Sequence, residues 1–119
     1  ALAWFAKGIA GLRDALAAID QTSGSRDELH EAWIEATNAL AVGLCSVAEI
    51  YLTDACDEPD AEQTCDALTA EAVELVSRLP RADVVEPFQT RASLKLSQQD
   101  EEGAEPLLLK ALDIVRRAG

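Results

Sequence analysis

The residues of this chain best equipped for chemistry are its acids, its three cysteines and its single histidine, and their spacing decides what they can do. The stretch from Asp54 to Cys65 has the length and much of the acidity of a calcium loop. Such a loop needs oxygen ligands at its first, third, fifth and twelfth places and glycine at its sixth. Here Cys56 stands third, Pro59 sixth and Cys65 twelfth, so the segment is expected to be a solvated acidic turn. Cys45, Cys56 and Cys65 lack zinc-ligand spacing, and thiols among alanines and leucines behave as small buried hydrophobes. A hydrolytic triad would have to use His30, which sits between Glu28 and Glu31 near a helix start. The six glycines are scattered and form no phosphate loop. The chain is therefore expected to be no enzyme and to need no metal or cofactor.

The pattern with more content is a polar stripe. At 100° per residue, Glu31, Glu35, Asn38, Val42, Cys45, Glu49 and Thr53 fall on one narrow helix face. A later helix carries Glu86, Gln89, Ser93 and Ser97 on its corresponding face. Two readings fit: a groove presenting carboxylates and amides to a basic partner, or the solvated side that any amphipathic helix has. The partner-binding residues expected on the first reading are Glu31, Glu35, Asn38, Val42, Glu49, Thr53, Glu86, Gln89 and Ser93, with apolar contacts near Val42, Leu52 and Leu96.

Five helices must position these residues. The first is predicted from about Leu2 to Ile19, with Leu2, Phe5, Ile9, Leu12, Leu16 and Ile19 along one side. Ser25 and Glu28 form a capping box for a long second helix, from about Arg26 to Ala55. Its apolar side carries Leu29, Trp33, Ala36, Leu40, Leu44, Val47, Tyr51 and Ala55. Asp57 is read as the cap of a third helix that tolerates Pro59 in its first turn and runs to about Ser77. Asp83 with Glu86 caps a fourth, about Val84 to Gln98; Asp100 caps a fifth that continues to about Arg117, with a kink or late start at Pro106. No alternating pattern persists, so no strand competes.

The helices also echo one another. Phe88, Arg91, Ala92 and Lys95, then Ala104, Leu108 and Ala111, occupy the fourth, seventh, eighth, eleventh, twentieth, twenty-fourth and twenty-seventh places of a tetratricopeptide-type helix pair. Leu44, Val47, Ala48 and Tyr51, then Ala61, Cys65 and Leu68 after one inserted residue, make an earlier, less regular copy. The predicted fold class is all-α: a right-handed tetratricopeptide-type superhelix of antiparallel pairs, about two and a half repeats over residues 1–119. One such pair cannot bury its apolar face alone and must stack on neighbours. The absent initiator methionine and abrupt helical start suggest a piece of a longer array.

Composition narrows the partners. At 119 residues, 49% of them hydrophobic but only 4% aromatic, the chain suits one domain of closely packed helices. Ten basic against 22 acidic residues give a net charge of −12, which repels nucleic acid and anionic membrane and attracts basic proteins. The widely spaced, odd number of cysteines fits reduced thiols in cytosol or nucleus. The inner faces also have the wrong sign for the clamp with which some tetratricopeptide grooves hold chaperone carboxyl termini, because that clamp needs lysine, arginine and asparagine.

A more specific likeness lies in two runs. Ala48-Glu49-Ile50-Tyr51-Leu52-Thr53-Asp54, with Asp57 to Gln63 and Cys65, and the later Glu86 to Ser93 with Ser97-Gln98-Gln99, resemble the fungal tetratricopeptide assembly chaperones of large-subunit ribosomal protein four. The resemblance spans roughly Leu44 to Leu112. It implies a non-catalytic superhelix in cytoplasm and nucleus. Its client would be a newly made basic ribosomal protein, shielded and escorted to nuclear ribosome assembly. Arg91 departs from the pattern, which prefers leucine there. From another class, a generic interaction scaffold would self-associate without client, whereas a chaperone would bind one client per chain; a small helical enzyme would need a pocket the residues do not announce.

Overall fold

The computed structural model describes residues 2–21, 26–54, 56–80 and 82–118, with side-chain environments over 6–18, 30–54, 56–80 and 82–118. Five helices form, and no strand occurs among the described residues: α1 (Leu2–Gln21), α2 (Arg26–Leu52), α3 (Ala61–Ser77), α4 (Glu86–Ser97) and α5 (Glu101–Ala118). The expected capping box at Ser25 and Glu28, and the apolar positions Leu2, Phe5, Ile19 and Leu29, lie outside the described side chains, as does Ala55.

Helix ends follow backbone chemistry more closely than side-chain capping. α3 begins after Asp60, which takes the left-handed conformation at φ 61° and ψ 21° and makes no side-chain cap bond. The cap expected at Asp57 is thus displaced by three residues. Aspartate is among the few non-glycine residues that visit this region readily. The pairing of Asp83 with Glu86 does not start α4 either: Val85 holds the cap position without a side-chain bond, and Pro87 occupies the second helical place.

The turn from α4 to α5 is tighter. Gln99 is left-handed at φ 60°. Its amide donates to Leu96 O at 3.0 Å, and the Asp100 amide donates to Lys95 O at 2.8 Å, the paired bonds of a Schellman ending. Asp100 then accepts from the Gly103 amide on Oδ1 at 2.9 Å, capping α5 as its sequence suggests. A Cβ at Gly103 would collide with that carboxylate, so the cap lies directly over the glycine. α5 starts at Glu101 with Pro106 inside it, so the proline does not delay the helix.

Packing is sequential with one addition. α2 packs on α1 and α3, α4 on α3 and α5, and α4 also reaches back to α2. The main core gathers Leu40, Ala41, Leu44 and Cys45 of α2, Ala72 and Val76 of α3, Leu79, Phe88 of α4, and Ala111 and Ile114 of α5. A smaller cluster joins Ala48, Cys65 and Leu94. Late α3 thus meets early α2 and early α3 meets late α2, an antiparallel pair. Small residues make the close approach possible: Ala41, Ala48, Cys65 and Ala72 are wholly or almost wholly buried. Arg91 ties α4 to α3, its Nη1 donating to Asp66 O at 2.9 Å, Asp66 Oδ1 at 3.0 Å and Thr69 Oγ1 at 3.0 Å. The leucine missing from the repeat pattern is replaced by this polar clasp.

The assembled shape is flat and open, 47 × 35 × 19 Å, with a radius of gyration of 15.1 Å. A globule of this length would have about 13.5 Å. Stacking in one direction leaves faces and ends uncovered, and these are where a partner can sit.

Candidate partner-binding groove

α2 and α4 lie side by side and run the same way. Glu86 and Thr90 act on Cys45, Thr90 reaches Glu49, and Gln89, Thr90 and Ser93 share a groove with Glu49, Leu52 and Thr53. Positions advance together along both helices. The groove has a volume of about 570 Å³ and is closed on one side by Leu108 of α5. Of the residues anticipated for binding, Glu49, Thr53, Gln89 and Ser93 meet here.

The remaining ones are distributed differently. Glu31 and Glu35 are exposed nearer the start of α2, outside the groove lining. Asn38 and Val42 are half-buried, and Asn38 Oδ1 has no hydrogen-bond partner among the described residues. Glu86 is half-buried, with Oε2 likewise buried and unpartnered. Both oxygens are acceptors, which a cationic donor would satisfy. Ser97 is exposed and donates back to Leu94 O at 2.6 Å.

Cys45 corrects the stripe as read from helical periodicity. It stands only 2% exposed, beneath α4, instead of facing solvent. The periodicity treats α2 as having one buried side, but α2 is flanked by α1, α3 and α4, so its covered arc is wider. Burial pushes the Cys45 thiol up to about 12; its hydrogen bond with Thr90 works the other way, and the nearby Glu49 and Glu86 charges add to the rise. Thr90 is the groove residue that the sequence reading missed. Its hydroxyl donates to Glu49 Oε1 at 3.3 Å and so orients the carboxylate. The signal available was its place one residue after Gln89, on the edge of the same face.

The electrostatic field around the groove has one sign. No lysine or arginine occurs between Arg26 and Arg78, a span holding all of α2 beyond its first residue and all of α3. At the α2–α3 turn a second hollow is lined by Glu58, Asp60, Glu62 and Asp66 together with Cys56, Ala61, Gln63 and Gln98. Thus Glu49 and Glu86 sit in a field that draws cations from both ends of the pair. Among the described residues no group of three or more histidine, cysteine or acidic side chains is placed to hold a metal. Cys45, Cys56 and Cys65 are free thiols.

This geometry describes a helical partner-binding surface that is acidic along α2 and apolar at the lip formed by Leu52 and Leu108. Among curated proteins, the chain is similar to a probable assembly chaperone of rpl4 from Schizosaccharomyces pombe, 40% identical over 74 residues. The match covers 62% of this chain and 20% of that protein, so the chain spans about a fifth of its relative's length. No family model matches the chain.

Proposed function

We propose that this chain is part of a dedicated, non-catalytic chaperone for a newly made basic large-subunit ribosomal protein, with ribosomal protein four as the client. The observation that carries the reading is the 40% identity over 74 residues to a probable assembly chaperone of rpl4. The five helices are read as a right-handed tetratricopeptide-type superhelix of about two and a half repeats. The concordant direction of α2 and α4, the antiparallel α2–α3 pair and the open shape support that assignment.

On this reading the first helix of each pair lines a concave surface. Glu31, Glu35 and Glu49 on α2 attract client arginines and lysines, and long-range attraction speeds the encounter. Asn38 Oδ1 and Glu86 Oε2 take hydrogen bonds from cationic side chains, while Val42, Leu52 and Leu96 supply apolar contact. Shielding a basic client in this way keeps it off nucleic acid until delivery, in cytoplasm and then nucleus, to the assembling ribosome.

The test is a titration of the chain with purified large-subunit ribosomal protein four and, in parallel, with an unrelated protein of equal positive charge. Binding of one ribosomal protein per chain, tighter than the control, is expected. Equal affinity for both would reduce the surface to a general polyanion and reject a dedicated client. A second reading, a generic tetratricopeptide interaction scaffold, draws on the exposed leucines of α5. It predicts no stoichiometric binding of the ribosomal protein in sedimentation.

A further inference from the structure

α5 carries an uncovered row of large apolar side chains. Leu108, Leu109, Leu112 and Val115 are between 43% and 58% exposed, alongside the buried Ala104, Ala111 and Ile114 of the same helix. The internal repeat shows what kind of place this is. When Ala61 is matched to Ala104, the residues Cys65, Thr69 and Ala72 of α3 match Leu108, Leu112 and Val115 of α5. All three α3 residues are completely buried, and Cys65 clusters with Leu94 of α4. The first pair seats a helix where the second pair presents bulkier, uncovered groups.

An independent feature says what fits there. On the helical wheel Glu101, Glu105, Leu108, Leu109, Leu112, Val115 and Arg116 occupy one strip about 120° wide and about 22 Å long. The strip is acidic at its start, apolar in the middle and basic at its end. Glu101, Glu105 and Arg116 are exposed and form no ion pair among the described residues, whereas Arg117 is held by Asp113 at 3.3 Å. Turned end over end, such a strip complements itself.

We propose that two copies of this chain associate through α5, laid antiparallel about a twofold axis near Lys110 and Ala111. Glu105 of each copy faces Arg116 of the other, and Leu109 faces Leu112 across the centre. A twofold contact of this kind uses one patch twice, so each complementary pair occurs twice. The net charge of −12 on each chain opposes association. At 0.15 M salt the screening length is about 8 Å, so the local pairs outweigh it. Leu108 also borders the α2–α4 groove, so the test leaves that residue alone.

Sedimentation of the chain over a concentration series at 0.15 M salt reads the association directly. A monomer–dimer equilibrium is expected. Glu105→Arg and Arg116→Glu should each weaken it about tenfold, since both symmetric contacts become repulsive. The double variant E105R/R116E should return to within about threefold of the original, because every contact re-forms with its sign reversed. Leu109→Lys, at an exposed site, should abolish dimers with helical circular dichroism unchanged. A monomer at every concentration overturns the proposal and gives the face to some other helix. So does a dimer indifferent to the charge reversals, because its contact must lie elsewhere.

Discussion

The two helix pairs, α2–α3 and α4–α5, place small residues at matching points, Ala48 with Ala92 and Ala61 with Ala104, and all four are buried. Their surroundings differ. α2 and α3 are flanked on both sides, by α1 before and α4 after, so Leu40, Leu44, Cys65, Thr69 and Ala72 have almost no exposure. α5 is covered on one side, and its leucines show. A repeat's sequence specifies how its own two helices meet; its stability and stickiness depend on who stands next to it. The pair with the more regular spacing is here the less buried one.

That contrast is sharpest in a core truncation. Leu44→Ala should cost about 3 kcal/mol in urea unfolding, because its methyl groups vanish from a fully packed site. Leu109→Ala, on the open helix, should shift stability by less than about 0.5 kcal/mol. Similar losses at both sites would mean that the two pairs are not differently supported. The next largest effect concerns the clasp between the pairs. Arg91→Ala removes three hydrogen bonds and should destabilise by about 2 kcal/mol; Arg91→Leu, which supplies the apolar group the repeat pattern favours, should recover part of that.

Alkaline pH separates the pairs by their thiols. Burial raises Cys45 to about 12 and Cys65 to about 11, the latter further raised by Asp66 and opposed by Arg91. An unfolded chain ionises these thiols near the ordinary 9.0, whereas the folded chain keeps its protons. The stabilisation is therefore fully present below pH 9 and is lost as pH rises toward 11 and 12. Denaturation midpoints of the native chain should fall across that window, and less steeply in Cys45→Ala. At neutral pH a thiol reagent should modify exposed Cys56 quickly while Cys45 and Cys65 resist until unfolding. The smallest effect belongs to the surface. Breaking the Arg78–Glu74 pair on α3, at 2.6 Å but well exposed, should change stability by under about 1 kcal/mol.

Much of this architecture was legible in the residues. Hydrophobic spacing located every helix, because each element has a side that must be covered, and Asp100 announced the cap it makes. Two kinds of information were missing. Backbone-led endings at Asp60 and Gln99 put non-glycine residues in the left-handed region, which local sequence marks weakly. The burial of Cys45 depends on α4 crossing back over α2, a contact between segments some 40 residues apart. For the groove, the face-sharing of Glu49 and Thr53 followed from periodicity, and so did that of Gln89 and Ser93. The register that unites the two sets, and the roles of Thr90 and Leu108, needed the packed helices.

The central claim, that the acidic face of α2 holds a basic client, is tested most directly by reversing its charge. Glu35→Lys with Glu49→Lys changes two exposed side chains. Titrated with a basic segment of the ribosomal protein over a salt series, the double variant should bind more weakly than the native chain, with a flatter dependence on salt. Unchanged affinity and an unchanged salt slope would contradict the account, because the client would then be held by some other surface.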